Sequence, residues 1–120
     1  MSVKSYTDLV VWQKSMLVAE NTYKLVRMLP REELYGLSDQ MRRSAVSIAS
    51  NIAEGQERQS SSEFLKFISY AQGSRAELET QIMLTIRLGF LDFETAEETI
   101  NLLGEIGRML NTIKNKIVVK

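Results

Sequence analysis

Pro30 is the only proline in the chain, and on both sides of it apolar residues return every three or four positions. Such spacing gathers side chains on one face of a helix, whereas strands need a period of two. A first helix is expected from about Thr7, as N-cap, to about Met28, where Pro30 stops it. Leu9, Trp12, Met16, Ala19, Tyr23 and Val26 form the stripe expected to face the core. A second helix is expected from Leu34 or Gly36 to Glu54, with Leu37, Met41, Ala45, Ile48 and Ile52 inward and Gly55 as its stop. Ser60 and Glu63 have the spacing of a capping box that opens a third helix, running to about Leu88 and ended by Gly89. Thr95 and Glu98 repeat that spacing before a fourth, with Ile100, Leu103, Gly107, Leu110 and Ile117 on one side. Four helices with short connections predict an all-α fold, an antiparallel up-down four-helix bundle, as a single domain over residues 1–120.

The chain contains no cysteine and no histidine. Thiolate nucleophiles, disulfides, cysteine or histidine metal sites and a histidine general base are therefore excluded. No catalytic, cofactor-binding or metal-ligating residue is assigned. A carboxylate-only metal or catalytic site among Glu54, Glu77 and Glu79 is the remaining enzymatic option, and it lacks the Glu-x-x-His pairs of di-iron bundles. The first ten residues have no long apolar core, and no apolar run approaches a membrane span, so the chain is expected to be cytoplasmic, with no membrane partner.

The first helix carries a second apolar line, Val11, Val18 and Leu25 at intervals of seven, followed by Leu29. The second adds Val46, Ala49 and Ala53, with Arg42 beside them, and the fourth adds Leu102 and Met109. Two stripes on one helix imply two packing partners, so Val11, Val18, Leu25, Arg42, Val46, Ala49 and Ala53 are expected to form an oligomer interface. The plainer alternative is a broadened core arc.

The stretch "MRRSAVSIASNIAEG", residues 41–55, places Arg43, Ser47, Ser50 and Glu54 on one polar face, with Ser44 and Asn51 bordering the core. Small hydroxyl residues let a neighbouring helix approach and return hydrogen bonds to its backbone. Glu54 stands in the last turn, where the helix dipole disfavours an anion without a cationic partner. Arg75 falls in phase with Phe64, Ile68, Ala71, Leu78 and Ile82, so it is expected to be half buried and paired with Glu54 or Glu79.

Fifteen lysines and arginines balance fifteen aspartates and glutamates, so only local patches can favour an anionic partner. Arg42, Arg43, Arg58, Lys66 and Arg75 lie around the second and third helices, and Arg108, Lys114, Lys116 and Lys120 make the last helix basic. Asp92, Glu94, Glu97 and Glu98 make the preceding turn acidic. Trp12, Tyr23, Phe64 and Phe67 all fall in core phase, so there is little of the aromatic interleaving that single-strand binders use for stacking.

The runs "DLVVWQKSM", "LPREELYGLSDQMRRSAVSIASNIAEGQER" and "SSSEFLKFISYAQGSRAELETQI" resemble the bacterial four-helix-bundle proteins encoded in intervening sequences of 23S rRNA genes. That family includes relatives of the accessory variability determinant of diversity-generating retroelements. The resemblance covers about residues 8–92. It implies a ring-like homopentamer, often with a basic face for RNA or DNA, and no enzymatic activity or cofactor. The resulting expectation is a non-enzymatic homo-oligomeric scaffold that contacts nucleic acid, or a protein handling it, through Arg43, Arg58, Lys66, Arg108, Lys114 and Lys116. The alternative is a protein-only adaptor docking a partner such as a reverse transcriptase.

Overall fold

The computed structural model describes residues 5–117. Four α-helices account for most of them: α1 (Val10–Val26), α2 (Leu37–Gln56), α3 (Ser61–Arg87) and α4 (Phe93–Lys116). Two short 3-10 turns, Tyr6–Asp8 and Arg31–Glu33, precede α1 and α2, and no strand occurs among the described residues. Each of α1 and α3 packs against both α2 and α4, with no close backbone approach between diagonal helices, in an elongated body of 47 × 25 × 21 Å. Neighbours run in opposite senses. Along α2 and α3, Ser44 meets Glu77, Ser47 meets Ser74 and Gly55 meets Phe67; along α1 and α4, Lys14 meets Glu105 and Asn21 meets Glu98.

The termini of the helices follow local chemistry. Ser60 Oγ accepts from the Glu63 amide at 3.1 Å and opens α3, as its spacing requires, and Gly89 takes φ of +80° to end the turn after it. The N-cap of α4 lies three residues before the expected one. Asp92, not Thr95, is the N-cap, its Oδ1 accepting from the Thr95 amide at 2.9 Å and from the Thr95 hydroxyl at 2.5 Å. Thr7 does not cap α1 either; Ser5 caps the preceding 3-10 turn and Leu9 stands at the N-cap of α1 with no side-chain bond.

Gly55 is not a helix stop. It lies buried within α2, where a Cβ would come 2.8 Å from Phe67 Cβ, so the missing side chain is what lets α3 approach there.

The two stripes of α1 exchange roles. Val11 (1% exposed), Val18 (0%) and Leu25 (5%) are core residues, joined by Leu29, and cannot form an interface. The line is completed by Ser15 and Thr22, both fully buried, whose hydroxyls donate to the carbonyls of Val11 and Val18 at 2.7 Å. Returning the hydroxyl to the helix satisfies it without a tertiary partner, so two polar residues complete a core seam. The stripe expected inside lies at the flank: Met16 and Tyr23 are exposed, Leu9, Trp12 and Ala19 are half buried, and only Val26 is buried. Leu37, Met41, Ala45, Ile48 and Ile52 of α2 fill the core as predicted, and Ala49 joins the buried residues instead of an interface. α3 contributes Ile68, Ala71, Leu78 and Ile82, and α4 contributes Ala96, Leu103, Ile106 and Leu110. Ile100 and Ile117 of the expected α4 stripe are half buried.

Candidate interaction surfaces

The small hydroxyl residues of α2 form a polar seam against α3. Ser44 Oγ donates to Glu77 Oε1 at 3.0 Å, and the Ser47 and Ser74 hydroxyls lie 2.8 Å apart. Asn51 Nδ2 donates to the Ser47 carbonyl at 2.8 Å and to its hydroxyl at 2.9 Å. With Gly55 one turn beyond Asn51, these residues bring α2 and α3 together through short side chains whose polar atoms are satisfied. Their chemistry is structural.

Glu54 and Arg75 do not meet. Glu54 Oε2 accepts from Arg58 Nη2 at 3.1 Å, one turn along the same chain, so the anion in the last turn of α2 is neutralised locally. Arg58 also lies over the Phe67 ring, 4.8 Å from its centroid. Arg75 pairs with Glu79 on α3 and donates through Nε to Gln72 Oε1. Gln72 Nε2 in turn donates to the Gly107 carbonyl at 3.1 Å and to Asn111 Oδ1 at 3.2 Å. A Cβ on Gly107 would come 2.8 Å from Arg75 Nε, so α4 is cut away where the guanidinium lies. The carboxylates considered for catalysis do not converge: Glu54 faces Arg58, Glu77 accepts from Ser44 and Glu79 from Arg75. Among the described residues no group of three or more Asp or Glu could hold a metal ion.

Grooves open on both sides of α1, and two of them hold residues of the expected sites. Between α1 and α4, Leu9, Val10, Val11, Met109, Thr112 and Ile113 line an apolar groove of about 340 Å³ with Arg108 at its edge. Val10 is 51% exposed, and Leu17, two turns along the same side, is 40% exposed. Lys14 bridges to Glu105 across this seam at 2.6 Å, and its hydrogen bond and charge hold the Glu105 carboxyl below the usual range. The expected second stripe of α4, Leu102 and Met109, packs half buried against the core. Between α1 and α2, an open groove of about 470 Å³ is lined by Tyr23, Asp39, Arg42, Arg43, Val46 and Ser47. Arg42 and Val46 of the expected interface thus line a groove, with Ala53 half buried further along α2.

The cations are distributed unevenly. Arg43 Nε donates to Asp39 Oδ2 at 2.9 Å, and Arg58 is held by Glu54. Lys66, Arg108, Lys114 and Lys116 are exposed and form no ion pair among the described residues; Lys120 lies outside those residues. From Ile106 to Lys116, α4 carries three cations and no acid. Sequence reasoning missed Tyr23, because the stripe assigned to the core is the outer one.

The model of the family described as 23S rRNA-intervening sequence protein matches residues 7–112. A solved structure of a protein with unknown function from the S23 ribosomal protein family of Bacteroides thetaiotaomicron superposes with a TM-score of 0.83 at 30% identity. The match covers 89% of this chain and 100% of that one. No curated protein matches the chain in sequence. No helix of the described residues is long and apolar enough to cross a membrane.

Proposed function

Because the chain belongs to the 23S rRNA-intervening sequence protein family, we propose that it is a non-enzymatic homo-oligomeric scaffold that engages RNA or DNA through basic surface residues. The observation that carries this reading is the set Arg108, Lys114 and Lys116, which form no ion pair among the described residues, on the stretch of α4 from Ile106 to Lys116 that holds no acid. The helix dipole accounts for the cations in the last turn, while Arg108, two turns earlier, lies one turn from Glu105, whose carboxyl its charge helps to lower. A phosphate backbone gains from such a row by releasing its counterions. Lys66 on α3 extends the set, while Arg43 and Arg58 each begin from an ion pair that a phosphate must compete with.

Self-association is supported by the apolar α1–α4 groove, which Val10 lines, and by Leu17, exposed two turns further along α1. Five subunits in a ring is the number the family resemblance implies. Light scattering at micromolar concentration tests this, and Leu17→Glu should reduce the mass without loss of helix, since Leu17 lies outside the core. A monomeric wild type refutes the assembly.

Titration of labelled RNA and duplex DNA at two salt concentrations tests the nucleic-acid role. Lys114→Ala and Lys116→Ala should each lower the slope of log K against log salt by about one. If wild type binds neither probe at low salt, the protein-only adaptor takes its place, and a salt-insensitive complex with one partner, such as a reverse transcriptase, is then expected.

A further inference from the structure

We propose that the groove between α1 and α2 seats one nucleotide of a single-stranded nucleic acid, with its base against Tyr23 and its phosphate on Arg42 and Arg43. This rests on the nucleic-acid reading above and adds a place and a strand preference to it. Tyr23, on the flank of α1 near its C-terminal end, is 43% exposed, and no other ring lies against it among the described residues. Val46, across the groove and 45% exposed, supplies a second apolar surface. A base between them would cover both, and an aromatic face accepts any base because every base has a π-face.

The charged groups of the groove suit the phosphate. Arg43 uses Nε on Asp39, which holds the guanidinium and leaves its Nη donors to bind an anion. Arg42 gives one weak bond, from Nη2 to the Leu34 carbonyl at 3.4 Å, and no carboxylate pairs with it among the described residues. Two guanidiniums against one carboxylate leave the groove net positive. At about 470 Å³ its volume falls within the roughly 300–1,000 Å³ of small-ligand sites. A base inside a duplex has both faces covered by its neighbours, so only a single strand can present one to Tyr23.

The test is fluorescence anisotropy with a labelled single-stranded RNA oligonucleotide and the same sequence as a duplex, on the full chain. Wild type should prefer the single strand. Tyr23→Ala should weaken single-strand binding about tenfold, with duplex binding and salt slope unchanged, and Tyr23→Phe should restore it because the ring is kept. Arg42→Ala should flatten the salt dependence by about one phosphate. A 2-aminopurine in the strand should be quenched by wild type and Tyr23→Phe, and not by Tyr23→Ala. Circular dichroism of each variant confirms folding, which a partly exposed flank position tolerates. If nucleic acid binds but Tyr23→Ala changes nothing, or wild type shows no preference for the single strand, the groove is not the site while the scaffold reading stands. If Tyr23→Ala changes only the oligomer mass, the groove is a contact between copies, which also overturns the proposal. Absence of any nucleic-acid binding at low salt overturns both.

Discussion

Gly55→Ala tests the α2–α3 seam directly. The added Cβ would sit 2.8 Å from Phe67 Cβ, where ordinary contact begins at 3.4 Å, so the two helices must separate by roughly 0.6 Å (3.4 minus 2.8). The obstructing atom is a Cβ, fixed to its backbone, and the Phe64 carbonyl stands at 3.4 Å on the same side. Neither can swing aside as the end of a long side chain would. Overpacking of this kind costs about 1–3 kcal/mol. Against it stands the helix propensity of alanine over glycine, about 1 kcal/mol in a helix interior. That gain is reduced here, because Gly55 is one residue from the end of α2. The balance is a net loss of about 1–2 kcal/mol, or about 3–8 °C in Tm. Gly73→Ala is the internal reference: nothing lies within 4 Å of its Cβ position in the middle of α3, so the propensity gain of about 1 kcal/mol should appear undiminished. Urea denaturation followed by circular dichroism at 222 nm, at one protein concentration, measures both. A Gly55→Ala variant as stable as wild type would refute the reasoning, because it would mean the seam relaxes freely.

Val18→Glu should lose its helical signal rather than dissociate, since Val18 is fully buried within one chain; a folded monomer would contradict the core assignment of α1. Glu79→Ala leaves the Arg75 guanidinium, one-fifth exposed, without its anion and should cost about 1–3 kcal/mol by chemical denaturation. Arg75→Met in the same background should recover part of that loss by removing the stranded charge. Hydrogen bonds from the Thr95 side chain and amide hold the Asp92 carboxyl below its usual range. A lowered carboxyl pKa adds stability that is present above the unfolded value and is lost as pH falls through the folded one. Asp92→Asn keeps a capping side chain, so its stability should change less than that of wild type as pH falls through the carboxylate range; parallel acid profiles would rule this out.

The all-helical architecture was legible in the chain itself. A three-and-four period, one proline and the Ser60–Glu63 box are local signals, and helices form from local hydrogen bonds, so α2 and α3 begin close to where the residues place them. The inward residues of α2 were legible for the same reason, since Met41, Ala45, Ile48 and Ile52 offer one unbroken apolar line. On α1 two lines compete, and hydropathy prefers the wrong one. Ser15 and Thr22 make the true core line look polar until their hydroxyls are seen bonded to their own helix, and that bonding matters only once neighbouring helices exclude water from it. Gly55 and Gly107 likewise have two meanings in a sequence, stop or clearance, and only the facing Phe67 and Arg75 decide between them. Arg75 chose Glu79 over Glu54 because an intrahelical partner four residues along is always within reach, whereas Glu54 already had Arg58 at the same spacing. The residue types available for function were set by the sequence alone: no histidine, no cysteine, and a basic second half of α4. Which of them share a surface was decided by tertiary packing, because turning α1 to bury Val11, Val18 and Leu25 is what carries Tyr23 out to the groove with Arg42 and Arg43.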